Sequence, residues 1–195
     1  MYRAETMASI GIDFDTMALN QMPSSWRSTG TAQAEATGHS GDRSLGLFLS
    51  GYSDARYIVS PEISTDSITG NAISVWLKNE ECSTVEIGTM NSPNDYNSFF
   101  SLLSCTPTSE WTKYTVSMAD APNTARYIAF RASSCSWNNS TLYIDDLSIS
   151  GCAAYGLRAR DVNFDNITLD WTQVGSPTIT VSVVQDSVVA QTIMP

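Results

Sequence analysis

Histidine and basic residues are scarce in this sequence, whereas acidic residues are common. The chain has one histidine, His39, and its 10 Lys and Arg residues are outnumbered by 20 Asp and Glu residues, for a formal net charge of −10. Because nucleic acids and anionic membranes bind clustered Lys and Arg, we expect neither as a partner. An acidic balance of this kind is typical of cation binding or of simple solubility.

Catalytic motifs are missing as well. A single histidine and no GxSxG motif leave no Ser–His–Asp triad, and no glycine-rich phosphate loop is present. Acidic residues are scattered, so a glycosidase pair could form in space, but nothing in the sequence singles one out. We therefore expect a protein that is not an enzyme.

Long apolar runs are also absent. No stretch approaches the roughly 18 residues of a membrane-spanning helix, and the first residues, MYRAETMASIG, lack the apolar core of a signal peptide. We expect no membrane insertion, and we interpret the chain as a processed exported protein or as part of a larger multidomain one.

Four cysteines occur without any CxxC pair, which argues against a structural zinc site. Cys82 opens one predicted strand, CSTVEIGTM, and Cys105 ends the next, SFFSLLSC. If these strands form a hairpin, the two cysteines lie side by side at its open end, and we predict a Cys82–Cys105 disulfide. Disulfides indicate an oxidising, extracellular location. Whether Cys135 and Cys152 are paired stays open.

Strand signals dominate the first three quarters of the chain. Short segments rich in β-branched and aromatic residues alternate with Gly, Pro, Asn, Asp and Ser, and helix signals are almost absent. This pattern predicts an all-β sandwich, and a jelly roll has about eight strands; periodicity alone does not distinguish it from an immunoglobulin-like sandwich. The eight segments are SLGLFLS, RYIVSPEI, NAISVWLKN, STVEIGTM, SFFSLLS, KYTVSM, RYIAFRA and TLYIDDLSIS.

Adjacent carboxylates interrupt the last of these segments. If Tyr143, Leu147 and Ile149 face the core of the sandwich, alternation places Asp145 on the same face and Asp146 outside. A buried carboxylate is costly unless a proton, a base, a metal or hydrogen-bond donors neutralise it.

The sequence changes rhythm at Cys152. An Ile167–Leu169–Trp171 alternation followed by TITVSVV resembles the first strands of a fibronectin type III domain, with the tryptophan in the core. Such sandwiches need about 100 residues, and fewer than half that number remain. We therefore predict a jelly-roll β-sandwich over residues 1–151 and a partial, immunoglobulin-like fibronectin type III segment over 152–195.

Seven motifs, in this order, resemble the cleaved-adhesin and choice-of-anchor jelly rolls of surface and secreted Bacteroidota proteins. They are also similar to the wider group of calcium-containing carbohydrate-binding and MAM-like jelly rolls. The resemblance implies a surface or secreted adhesion module, often followed by fibronectin-like modules. The motifs are IDFDTMALNQMPSSWRSTG, GHSGDRSLGL, ARYIVSPEI, NAISVWLKN, EWTKYTVSM, ARYIAFRA and LYIDDLSIS.

The same resemblance implies a structural calcium ion. In related jelly rolls such an ion joins the N-terminal strand, the loop after the HSG stretch and an aspartate near the last strand. Calcium takes about six to eight oxygen ligands, and the alternative is that Asp145 bonds to backbone amides or pairs with Arg43. The positions that correspond to the ligands are Asp15, with Asp13 as its substitute, the loop residues Ser40, Gly41, Asp42 and Ser44, and Asp145.

Exposed aromatic side chains are the candidates for ligand binding. In ISVWLK, Trp76 alternates with apolar residues and is predicted to lie on the outer face with Ser74 and Lys78. Tyr96 and Trp137 lie in polar loops, which we expect at the same end of the sandwich. The alternative is that these aromatics cap the sandwich edge. Trp26 and Trp111 are expected inside.

We therefore expect a secreted or cell-surface, non-catalytic binding module for a glycan or a host surface protein. The alternative is a structural spacer that presents a neighbouring domain, and a glycoside hydrolase-related enzyme is a distant third.

Overall fold

The computed structural model describes residues 10–50, 55–63, 68, 71–81, 83–134, 138–151, 155–160, 168–172, 181–185 and 188–193. Side chains are described between residues 11 and 150, except at 134. No helix in these ranges is both long enough and apolar enough to span a membrane.

Two antiparallel sheets build the sandwich. The first has six strands in the order β3-β4-β11-β6-β9, and its sixth strand, β1, pairs with the second half of β11. Its strands are β1 (Ile10–Ile12), β3 (Ala32–Glu35), β4 (Ser44–Leu49), β6 (Asn71–Asn79), β9 (Thr112–Ser117) and β11 (Ser140–Gly151).

The second sheet has five strands in the order β2-β5-β10-β7-β8. A short 3₁₀ turn, Tyr96–Ser98, lies between β7 and β8. Its strands are β2 (Arg27–Ser28), β5 (Arg56–Val59), β7 (Ser83–Met90), β8 (Phe100–Cys105) and β10 (Tyr127–Ser134).

The hydrophobic core lies between the two sheets. Alternation along β6 shows how it forms, because Ile73, Val75 and Leu77 are fully buried while Ser74 and Trp76 are partly exposed on the outer face. Trp26 is buried as predicted, and its ring lies 5.7 Å from that of Phe14.

The predicted strands all form, and the prediction of an all-β sandwich is confirmed. Two of them, β6 and β7, have the predicted bounds. Sequence reasoning missed β1, β2 and β3, which are two to four residues long and too short to show alternation.

A β-bulge in β11 corrects the expected pattern around Asp145. Leu142 and Ile144 face the core before it, and Leu147 and Ile149 face the core after it, because the register shifts between Asp145 and Ser148. The inward placement predicted for Tyr143 was therefore wrong. This side chain is partly exposed on the outer face.

Two hairpins are described after residue 151. They are β12 (Tyr155–Arg160) with β13 (Thr168–Thr172), and β14 (Val181–Gln185) with β15 (Val188–Ile193). The fibronectin type III assignment and the boundary at 151 stay predictions.

Candidate functional site

The bulge at Asp145 lies where β11 changes its neighbour on one side. β4 pairs with β11 up to Ile144, and β1 pairs with it from Leu147 onward. The loop of residues 37–43, which leads into β4, covers this gap on the outer face. The site is thus built from three segments that are distant in sequence.

Asp145 is fully buried beneath this loop and lies opposite Trp76 in the ladder. One carboxylate oxygen accepts a hydrogen bond of 2.7 Å from the backbone N–H of His39, and the other accepts one of 2.7 Å from that of Asp146. Burial raises the pKa of Asp145, while these hydrogen bonds and one from the Ser40 backbone act to lower it. The amide groups therefore satisfy the buried charge.

Asp146 holds the same loop by side-chain contacts. Its oxygens bond to the Ser40 hydroxyl at 2.6 Å and to Nδ1 of His39 at 2.7 Å. Its backbone has a φ of 47°, a left-handed conformation that Asp and Asn adopt more readily than most residues. This conformation is part of the bulge that turns the carboxylate toward the loop.

Asp15 anchors the far end of the loop. Its Oδ1 accepts hydrogen bonds from the backbone N–H groups of Asp42, at 2.9 Å, and Arg43, at 3.1 Å. Gly41 lies directly against this carboxylate with a φ of 71°, so any side chain there would both strain the backbone and collide with Asp15.

These contacts test whether the predicted calcium ligands fit a cation. The amide groups direct their positive N–H ends at Asp15 and Asp145, and two such bonds are made to each carboxylate. Asp13 accepts from the Asp15 backbone at 3.3 Å. Within the described ranges no three His, Cys, Asp or Glu side chains converge on a common point. Asp145 thus makes the backbone amide bonds foreseen as the alternative, and calcium binding stays a prediction.

Aromatic rings cover the outer face of the six-stranded sheet next to the loop. The His39 imidazole stacks on Trp76 with ring centroids 3.6 Å apart and planes 14° apart. Trp111 lies 6.2 Å from His39 and 6.4 Å from Tyr143, both nearly edge to face, and Lys78 lies 5.8 Å from the Tyr143 ring centroid. We call Trp76, His39, Trp111 and Tyr143 the aromatic face.

Burial is the main cause that raises the pKa of the Tyr143 hydroxyl, and the charges of Glu80 and Glu35 add to it. The phenol therefore stays protonated and can donate a hydrogen bond at neutral pH.

An open cavity of about 350 Å³ adjoins the aromatic face. Trp76 lines this cavity. The polar groups that line it are hydroxyls, carboxylates and one ammonium group. They belong to Ser74, Ser148, Asp13, Asp146 and Lys113. The cavity thus joins an indole ring to hydrogen-bond donors and acceptors of both charges, which suits an uncharged polar ligand with an apolar face.

Sequence reasoning placed Trp76 on the outer face correctly but missed three members of the aromatic face. Trp111 was expected inside and lies outside. The sequence pattern that could have shown this is alternation along β9: Trp111 shares a side with Lys113 and Thr115, which are exposed, whereas Val116 on the other side is buried. Tyr143 was missed because of the bulge. His39 was not among the predicted aromatic residues, because its pairing with Trp76 depends on a contact over 30 residues apart.

The other predicted aromatic residues do not join this site. Tyr96 packs on Tyr57, with ring centroids 4.8 Å apart, on the outer face of the five-stranded sheet. Trp137 lies outside the described residues.

The expectation that the loops of Tyr96 and Trp137 share one end of the sandwich was wrong. β7 and β10 are antiparallel neighbours, with Met90 opposite Tyr127 and Ser83 opposite Ser134. The loops that follow these two strands therefore leave the sandwich at opposite ends.

The predicted hairpin of β7 and β8 forms, with Cys105 opposite Val85. Cys105 is a free thiol in the structure, and burial raises its pKa to about 11 despite a hydrogen bond with Tyr114. Cys82, Cys135 and Cys152 lie outside the described residues, so the Cys82–Cys105 disulfide stays a prediction.

Solved structures share this architecture, although no family model matches the chain and a search of curated proteins found no match. The K3 cleaved adhesin domain of Lys-gingipain from Porphyromonas gingivalis W83 aligns with a TM-score of 0.58 at 19% identity, covering 74% of this chain and 100% of that domain. The K2 cleaved adhesin domain of Lys-gingipain gives a TM-score of 0.59 at 17% identity, covering 73% and 99%.

A carbohydrate-binding module is similar as well. The CBM22-1 xylan-binding domain of Paenibacillus barcinonensis Xyn10C aligns with a TM-score of 0.53 at 14% identity, covering 76% of this chain and 97% of that domain. The chain therefore contains the jelly-roll fold of cleaved adhesin domains and carbohydrate-binding modules, as the order of its sequence motifs indicated.

Proposed function

We propose that the jelly roll is a non-catalytic glycan-binding module whose site is the cavity beside Trp76 on the outer face of the six-stranded sheet. The observation that supports it best is the composition of this cavity. An indole ring packs against the apolar face of a pyranose, while hydroxyl, carboxylate and ammonium groups exchange hydrogen bonds with sugar hydroxyls. Such a combination of an aromatic wall with a few polar groups is typical of small-molecule sites.

The loop of residues 37–43 supports this proposal because it organises the site before a ligand arrives. Asp145 and Asp146 fix the backbone and side chain of His39, and His39 in turn stacks on Trp76. Because this stacking already fixes the rotamer of Trp76, its side chain loses little entropy when a ligand binds.

A role in positioning the loop suits Asp146 better than a catalytic one. Both of its oxygens are engaged by Ser40 and His39, so the carboxylate holds the loop. The fold also agrees with a binding role, since the xylan-binding CBM22-1 domain shares it. We place the module outside the cell or on its surface, within a larger multidomain protein, with a glycan or a host surface protein as its partner.

A glycan array probed with the labelled chain tests this proposal. We expect selective binding to one glycan class, which Trp76→Ala abolishes and Lys113→Ala weakens; Lys113 is exposed, so its loss does not threaten the fold. Leu19→Ala removes an exposed apolar side chain, 42% accessible, that does not line the cavity, and serves as the control.

Three results would contradict the proposal. Binding that survives both Trp76→Ala and Lys113→Ala would move the site elsewhere. An array without any bound glycan would favour the structural spacer, and turnover of a polysaccharide by the chain would favour the glycoside hydrolase-related enzyme.

A further inference from the structure

A second cavity, of about 220 Å³, opens at the end of the sandwich where β7 passes into β8. The 3₁₀ turn forms one wall and the segment before β10 forms the other. Asn91, Asn97, Phe100 and Thr124 are exposed lining residues, and Thr89, Met90 and Ala125 are buried ones.

Thr89 is a lining residue whose hydroxyl is buried. In the ladder it lies opposite Ile128, whose side chain is in the core, and cross-strand neighbours share a face, so Thr89 faces the space between the sheets. Its Oγ1 is closed to solvent, and it has no hydrogen-bond partner within the described part of the chain. A buried hydroxyl without a partner is costly, and Thr89 gains one from a ligand only when its side chain rotates toward the cavity.

The walls of the cavity are held in place by local hydrogen bonds. Asp95 accepts from the Asn97 backbone at 3.2 Å and from the Ser98 hydroxyl at 2.6 Å. Across the cavity, the Arg126 backbone donates to the Met90 carbonyl at 2.8 Å. The shape is therefore present without a ligand.

A bulge and a glycine set the position of the two phenylalanines. The register of β7 against β8 shifts between Ile87 and Gly88, and a Cβ at Gly88 would collide with the Phe100 carbonyl and the Phe99 ring. This close approach leaves Phe100 39% exposed at the rim, where it presents an apolar surface.

The lining determines the class of ligand. None of the described residues that line the cavity is ionisable, although the whole chain has a net charge of −10. Amide groups from Asn91 and Asn97, the Thr124 hydroxyl and the Phe100 ring suit a neutral ligand with many hydroxyl groups. The nearby Arg126 guanidinium does not line the cavity and donates to the Ala125 carbonyl at 2.8 Å.

We propose that this cavity is a second, independent site for a single neutral sugar residue. It goes beyond the function proposed above because it lies at the end of the sandwich and shares no residue with the cavity beside Trp76. With two sites the module can hold two segments of a glycan at once, which increases its avidity without a tighter individual site.

NMR titration of the ¹⁵N-labelled chain tests this site separately from the first. The probes are D-galactose, D-glucose, D-xylose, D-mannose and N-acetyl-D-glucosamine, with D-glucuronate as the charged comparison. For at least one neutral sugar we expect saturable shifts of the Asn91 and Asn97 side-chain amides that persist in Trp76→Ala. The double substitution Asn97→Ala/Phe100→Ala should abolish them, and Leu19→Ala should leave them unchanged.

Several outcomes would overturn the second site. These are no saturable shift of these amides with any neutral sugar, shifts of equal affinity with D-glucuronate, or loss of the shifts in Trp76→Ala. A result in which only the Trp76 region responds would leave the first site intact and remove the second, so the two proposals fail separately.

Discussion

At the scale of single residues, Asp145 shows how a buried charge can organise a site. It is fully buried opposite Trp76, and its carboxylate accepts from the backbone N–H groups of His39 and Asp146. Alternation with Tyr143, Leu147 and Ile149 predicted the burial, although the bulge changes that register. The family resemblance brought the loop after the HSG stretch to Asp145, whereas no local pattern identified the His39 amide, which lies over 100 residues earlier, as its donor.

The charge of Asp145 makes the stability of the fold depend on pH in a defined direction. Burial raises its pKa in the folded state above 3.8, so between the unfolded and folded pKa values the native state binds the proton more tightly. The contribution of this carboxyl to the free energy of unfolding is therefore greatest below about pH 4, and it declines as the pH rises through the pKa of the folded state.

Replacing Asp145 with asparagine tests this account. Asp145→Asn puts an NH₂ group where an oxygen now accepts, leaves one backbone N–H unpaired, and should lower the free energy of unfolding by about 1–3 kcal/mol. Urea unfolding between pH 3.5 and 7 should show that the advantage of the wild type over this variant shrinks as pH rises. Asp42→Asn, an exposed carboxylate of the same loop, is the control.

The opposite slope would contradict this account and would favour the predicted calcium ion, since a cation beside Asp145 lowers its pKa. In that case chelation would also lower the Tm of the wild type, and Asp145→Ala would abolish the difference.

At the scale of elements, most strands could be predicted and their irregularities could not. β6 and β7 were bounded correctly because each is a run of eight or nine residues rich in β-branched and apolar side chains, with polar residues at 80–81 and 91–92 after it. The bulge in β11 was missed because two adjacent aspartates fit either register of an alternating pattern, and a shift of one residue exchanges the faces. Tyr143 was therefore assigned to the core.

The loop of residues 37–43 depends on a glycine at 41. Gly41→Ala would force a residue with a Cβ into a φ of 71° and into the Asp15 carboxylate. We expect a loss of at least about 1–2 kcal/mol and faster hydrogen exchange of the Asp42 and Arg43 amides, which Asp15 now holds. Gly11→Ala is the matched control, because a Cβ there meets no atom within 4 Å. Unchanged exchange of these amides in Gly41→Ala would show that Asp15 does not hold the loop.

At the scale of the whole molecule, the two sheets separate the surfaces that the sequence could not tell apart. Trp76 and Tyr96 both read as exposed aromatics, but one lies on the outer face of the six-stranded sheet and the other on that of the five-stranded sheet. Strand order decides this, and strand order follows from long-range pairing that single segments do not encode. The sandwich itself was predictable, whereas the convergence of His39, Trp76, Trp111 and Asp146 was not.

The most direct test of the glycan site is to follow the indole N–H signals of the ¹⁵N-labelled chain during titration with the glycan that the array identifies. We expect the NMR signals of the Trp76 indole and of the Ser74, Lys113 and Ser148 backbone amides to shift together with one dissociation constant. The amides of Glu86 and Arg131, on the outer face of the opposite sheet and in the lining of neither cavity, should stay unchanged. A saturable shift confined to the opposite sheet, with an unmoved Trp76 indole, would contradict this expectation.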